Sequence, residues 1–243
     1  MRRRGAWLIA AAGLALALPG CKWIHDPDAD RPETAREFPR ADRPVAPVVS
    51  NQYSDENSRD RLGEAVAVMD RANIVAGMTV ADIGAGEGYY TVRLGQRVGQ
   101  KGRVLAQDID RGAIRRLADR VARERLDNVS IKLGAPDDPK LPAASFDRIF
   151  MVHMYHEIAE PYAFLWRLRP ALRTGGKVIV IDADRPTTQH GTPPKLLFCE
   201  FERVGYKLAE FTELPELGSY YASFEASGER PEPGRIEACK SSG

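Results

Sequence analysis

The residues best able to do chemistry are concentrated in one run, Val80-Ala81-Asp82-Ile83-Gly84-Ala85-Gly86-Glu87-Gly88-Tyr89-Tyr90. Glycines at alternate positions let the backbone turn sharply and let a ligand lie against main-chain atoms, where a side chain would collide with it. One acid, Asp82, stands two residues ahead of the first glycine, and a second, Asp108, follows 24 residues after it. At the end of the next strand, a carboxylate at that distance can accept both hydroxyls of a ribose. The loop alone also suits a plain structural turn; Asp108 is what favours a nucleotide cleft. The dinucleotide fingerprint G-x-G-x-x-G needs its third glycine where Tyr89 stands, so a pyrophosphate nest, and with it an NAD-dependent oxidoreductase, is disfavoured.

A second reactive group is Val152-His153-Met154-Tyr155-His156-Glu157. An unperturbed imidazole titrates near neutral pH and takes a proton from a hydroxyl, thiol or amine, which makes His153 and His156 candidate bases. The competing reading packs His156 at the start of the following helix and ties His153 to its loop by a hydrogen bond. Only four histidines are present, without paired cysteines or a His-x-x-x-His array, so no metal is expected.

These groups need a scaffold that brings them together. Short runs rich in branched apolar residues at 79–83, 104–108, 129–133, 148–152 and 177–182 read as buried parallel strands of an α/β fold. Further strands are expected at 206–211 and 220–226, after a helix at 194–204. Ser54 is placed to cap an earlier helix, with Asp55 and Glu56 in its first turn and Leu62, Val66 and Met69 as its apolar face, ending at Gly77. Ile114, Leu117 and Val121 form the apolar stripe of another helix, whose opposite side carries Arg111, Arg115, Arg116, Arg120 and Arg123 as a solvated face. An open sheet takes ligands beyond the carboxyl ends of its strands, so the glycine loop, Asp108 and the segment 153–157 should share one cleft.

Together the glycine loop and Asp108, with Leu141-Pro142-Ala143-Ala144-Ser145-Phe146-Asp147 and Leu172-Arg173-Thr174-Gly175-Gly176-Lys177, resemble the class I S-adenosylmethionine (SAM) dependent methyltransferase family, in particular small bacterial members of undefined substrate. The resemblance covers residues 78–182 well. It implies a doubly wound, seven-stranded, mostly parallel Rossmann-like sheet with a C-terminal antiparallel hairpin, SAM as cofactor, and methyl transfer to a small or modest-sized acceptor. The cofactor-binding residues it implies are Asp82, Gly84, Ala85, Gly86, Gly88, Tyr89, Asp108 and Ile109, with Asp110 as a weaker second acid. Where the family often has an acid after the glycine of the third strand, this chain has Gly134-Ala135-Pro136, and Asp137 either loops back to the adenine or is a turn residue. Tyr155, with Tyr89 or Tyr90, would wall the cleft and hold the cationic sulfonium against a ring face. The Asn/Asp-Pro-Pro-aromatic signature of nucleic-acid base methyltransferases is replaced by the 152–157 segment. A noncatalytic, lipid-anchored nucleotide-binding module is the alternative.

Bulk properties agree. In 243 residues, 35 Lys and Arg face 34 Asp and Glu, a net charge of +1 that offers no field for a nucleic acid. Arg2, Arg3 and Arg4 precede an apolar run at 6–18, shorter than the roughly 20 residues that span a bilayer as a helix, so 1–21 reads as an export signal. Its end, Leu18-Pro19-Gly20-Cys21, resembles the lipobox of bacterial lipoproteins, with Pro19 unusual there, and implies a lipidated Cys21. Lys22 after it leans towards the outer membrane, on the periplasmic side of the envelope. SAM is made in the cytoplasm, so an exported enzyme needs a supply of it. Segment 22–53, rich in Pro, Asp and Arg, reads as a tether or as a lid whose end at 45–53 covers the cleft. The catalytic domain is expected over 54–228 and a tail over 229–243. Cys199 and Cys239 are placed to form a disulfide if the tail folds back in an oxidising compartment, or to remain two thiols.

Overall fold

The computed structural model describes residues 28–48 and 55–240. The chain divides after Asp30, and the unit from Arg31 onward carries the fold described below. The expected export signal, Cys21 and Ser54 lie outside the described residues.

Seven strands form one sheet in the order β3-β2-β1-β4-β5-β7-β6: β1 Thr79–Ile83, β2 Arg103–Asp108, β3 Val129–Leu133, β4 Phe146–Val152, β5 Leu172–Asp182, β6 Tyr206–Leu214 and β7 Ser219–Ala226. The first five pair in parallel, and β7 is antiparallel to both β5 and β6. Strand side chains alternate between faces, so the continuous apolar runs feed two cores. Ile149 and Met151 face a core with α5 (Pro161–Leu168) and α6 (Pro194–Arg203). Phe150 between them faces the other, with α2 (Glu64–Arg71) and α3 (Tyr89–Val98). The β1 and β4 strands lie side by side, Ile83 opposite Met151, which delivers the glycine loop and the 153–157 segment to the same edge. The topology is the seven-stranded Rossmann-like arrangement with an antiparallel C-terminal pair.

The helix expected around residues 54–77 is two helices, α1 (Glu56–Arg61) and α2, broken at Gly63 with φ +66°. Asp55 supplies the cap, accepting the Asn57 N–H. Breaking the helix rotates the apolar stripe: Leu62 and Val66 are both exposed, while Ala65, Val68 and Met69 face the core. In α4 (Arg111–Arg123), Leu117 is buried and the arginine side is solvated, with Arg120 tied to Glu56 and Glu124.

The described part of the Pro-rich segment is a packed strap. Arg31 donates two hydrogen bonds to the buried Glu160 carboxylate, at 2.8 and 2.7 Å. Arg43 reaches Glu200 at 2.9 Å with both side chains almost wholly buried, and Ala35, Phe38 and Ala46 enter the core. The described part of the C-terminal tail is packed as well: Cys239 is disulfide-bonded to Cys199 of α6, and Trp166 donates its indole N–H to Pro231 O.

Candidate active site

A cavity of about 420 Å³ opens beyond the carboxyl ends of β1, β2 and β4. Its walls are the loop Gly84-Ala85-Gly86-Glu87 with Tyr89, then Gln107-Asp108-Ile109 after β2, Ala135-Pro136 after β3, and Val152-His153-Met154 with Glu157 after β4. Glu56 and Arg59 of α1, Val45, Ala46 and Val48 of the strap, Ile158 and Ala159 ahead of α5 and Phe164 within it complete the lining. The strap end thus borders the cavity, with Ala46 N–H held by His156 O at 3.2 Å.

The glycine loop is shaped by its neighbours. Gly84 has φ +67°, and a Cβ there would stand 2.9 Å from Met154 Cγ, so the position has both a conformational and a steric need for glycine. Gly86 N–H donates to Asp108 Oδ2 and Asp110 N–H to Asp108 Oδ1, each at 2.9 Å, which locks that carboxylate at the cavity wall. Beside it, Gln107 Nε2 is buried with no hydrogen-bond partner among the described residues. A Cβ on Gly134 would fall 1.8 Å from this nitrogen, so the glycine after β3 makes room for Gln107. Ile109 leaves 40% of its surface uncovered at the rim, next to Ala135 and Pro136.

His153 lines the cavity with φ +54°, and its Nε2 lies 3.4 Å from Glu64 Oε1. Glu64 also accepts from Arg59 at 3.0 and 2.5 Å and from the Tyr90 hydroxyl at 3.0 Å. Burial pushes the Glu64 pKa up, but hydrogen bonds from His153 and Arg59 outweigh it and hold the carboxyl at about 2. The imidazole is therefore backed by a permanent anion.

Several expected residues are placed elsewhere. Asp82 is buried behind the loop and accepts the Thr91 hydroxyl at 2.6 Å; burial pushes its pKa up to about 6, and its side chain is not part of the cavity wall. Gly88 caps α3, and a Cβ there would meet Leu117 of α4 at 2.5 Å, so it serves helix packing. Asp110 caps α4 through Ala113 N–H. Asp137 does not loop back to the cavity: its carboxylate accepts from Thr34 and Arg167, and Ala135 and Pro136 form that wall. Tyr155 is fully buried and donates to Glu200 at 2.7 Å, in the core rather than in the cleft. His156 turns its Nδ1 to Asp182 and leaves the cavity to His153. Tyr90 is buried and stacks on Phe150. Tyr89 does border the cavity, but guanidinium carbons of Arg59 and Arg93 each lie 3.8 Å from its ring centroid, so both ring faces are covered and neither is left for a sulfonium.

Glu64, Arg59, Gln107 and Met154 carry no motif that marks them in advance. Of these, Met154 alone lies in a run that the sequence singles out for its chemistry, the 152–157 segment.

Residues 80–176 match the family model described as a methyltransferase domain. The ubiquinone/menaquinone biosynthesis C-methyltransferase UbiE of Methylococcus capsulatus is 30% identical over 165 residues, covering 67% of this chain and 61% of that protein. The corresponding UbiE of Bordetella avium is 30% identical over 167 residues, covering 65% and 56%. The chain thus spans about three fifths of the length of these curated relatives. Among solved structures, a SAM-dependent methyltransferase from Aquifex aeolicus superposes with a TM-score of 0.65 at 25% identity, over 70% of this chain and 93% of that one. Family match and sheet order agree: residues 80–176 match the methyltransferase domain model, and the sheet around them has the strand order of the class I methyltransferase fold.

Proposed function

We propose that this chain transfers the methyl group of SAM to a small or modest-sized acceptor, with His153 taking the acceptor's proton. The observation that carries the reading is one cavity with the Asp108 carboxylate on one wall and the His153 imidazole on another. The donor set fits the cofactor. Each Asp108 oxygen spends one lone pair on a backbone N–H and keeps another for a ribose hydroxyl. Gln107 Nε2 is a buried donor in want of an acceptor, the sort of group a polar ligand satisfies. Ile109, Ala135 and Pro136 offer an apolar slot for a flat base, and Gly84 and Gly86 give close backbone approach.

When bound, SAM supplies an activated methyl on a sulfonium. The protein's own work is alignment and proton removal. Glu64 orients the His153 ring and stabilises the imidazolium that forms as the proton arrives, while Arg59 holds Glu64 in place. Val45 and Val48 of the strap make an apolar rim that excludes water around the acceptor.

We further propose that the protein acts on the periplasmic face of the envelope, held by a lipid on Cys21. The positive start and apolar run support this, as does the Cys199–Cys239 bridge, which an oxidising compartment preserves.

The test is incubation with methyl-tritiated SAM and a small-molecule extract of bacterial envelopes. Label should pass into a small product with the wild type and not with His153→Ala. Label that never leaves SAM in any extract fraction would overturn the transfer reading.

A further inference from the structure

A second group of ligating side chains lies next to the cavity and serves none of the roles above. The donor atoms of His156, Glu157 and His190 all lie within 4.8 Å of one another. Two neutral imidazoles and a carboxylate are the donor set that holds zinc and related divalent transition ions, with ligand bonds of about 2.0 to 2.2 Å. In a tetrahedral site such ligand atoms stand about 3.4 Å apart, so a side-chain adjustment of the order of 1 Å closes the set around an ion.

The supporting layer is already built. His156 is buried, and its Nδ1 lies 3.0 and 3.1 Å from the two oxygens of Asp182, which is itself fully buried. That carboxylate also accepts from Ala183 N–H at 2.9 Å and from the Thr192 hydroxyl at 2.7 Å, so its orientation is fixed. A carboxylate on Nδ1–H sets the tautomer and leaves the Nε2 lone pair for a metal, the usual carboxylate-histidine-metal arrangement. The His190 ring meets His156 edge-on at 5.4 Å. His190 is brought there by a tight turn in which it adopts φ +55° and donates its N–H to Thr187 O. The next residue, Gly191, has no room for a Cβ, which would stand 2.5 Å from Ala183 O. Asp182 ends β5 and His156 follows β4, so both lie at the sheet edge that holds the cavity, and Glu157 borders the cavity itself.

We propose that His156, Glu157 and His190 form a binding site for one divalent transition-metal ion of the zinc type, oriented by Asp182. With three protein ligands, an ion there keeps a coordination position for water or for a donor atom of a ligand in the adjoining cavity. The site does not depend on SAM binding.

The experiment is titration of the tag-free full chain with Zn2+ by calorimetry and with Co2+ by visible absorption, with Mg2+ as a control. One equivalent of Zn2+ should bind, Co2+ should develop the absorption of a four- or five-coordinate ion, and Mg2+ should not compete. His190→Ala and Glu157→Gln, checked for folding by circular dichroism, should each weaken binding by 100-fold or more, and Asp182→Asn by about 10- to 100-fold. His25→Ala and His153→Ala should bind as the wild type does. Absence of Zn2+ binding overturns the proposal. So does binding unchanged in either folded ligand variant.

Discussion

His153 Nε2 lies 3.4 Å from the Glu64 carboxylate, so the one histidine that lines the cavity among the described residues is paired with an acid from a helix outside the matched family segment. The pairing explains how an imidazole in a left-handed backbone conformation is held in one orientation. It also makes the role of His153 separable from cofactor binding. His153→Ala should lower turnover about 100-fold or more while SAM affinity, read by calorimetry, stays within a factor of about three. Unchanged turnover on an identified acceptor would mean that alignment alone drives the reaction.

Two of the aspartates expected at the cofactor, Asp108 and Asp137, should part company. Asp108→Ala removes the carboxylate and strands the N–H groups of Gly86 and Asp110, so SAM affinity should fall about 100-fold. Asp137→Ala should leave that affinity within a factor of about three, yet cost about 2 to 3 kcal/mol of stability, because Arg167 and Thr34 lose their partner. Chemical denaturation and calorimetry on the pair of variants check both halves. Reversed effects would put Asp137 back at the cofactor.

That contrast shows what the sequence could and could not convey. Strand periodicity and the glycine spacing marked all seven strands and the cavity wall at Gly84, Gly86 and Asp108, because these depend on local backbone rules. The direction of Asp137 depends on Arg167 and Thr34, distant in sequence, and that of Tyr155 on Glu200 of α6. Both histidines of the 152–157 segment looked equivalent as bases. Only the placement of Asp182 beneath one and Glu64 beside the other tells them apart. The strap was legible only in part: the lid reading put its end at the cleft, where Val45, Ala46 and Val48 lie, but nothing in its Pro and Arg content announced Glu160 and Glu200 as buried partners.

Acid should expose the Glu64 pairing. Its pKa in the fold, about 2, lies below its ordinary value of 4.5, so its contribution is complete above pH 4.5 and is lost as pH falls through 2. The difference corresponds to about 3 kcal/mol. Asp82, pushed up to about 6, acts in the opposite sense as pH falls from 6 to 3.8. Acid unfolding of Glu64→Gln should therefore be shallower than that of the wild type between pH 4.5 and 2. Parallel curves would contradict the pairing.

The Cys199–Cys239 bridge joins residues 40 apart and anchors the tail to α6. Replacing both with serine should cost about 3 to 4 kcal/mol in the chain-entropy account. Protein isolated from its native cells and denatured without reductant should resist alkylation at both positions. Free alkylation of both would show that the bridge does not form in the cell.

Calorimetric titration of the full chain with SAM, with its demethylated product and with NAD tests the central claim most directly. The glycine loop, the Asp108 carboxylate and the buried Gln107 donor predict one-to-one binding of SAM and of its product, and no binding of NAD. A chain that binds neither SAM nor its product, or that binds NAD in their place, would contradict it.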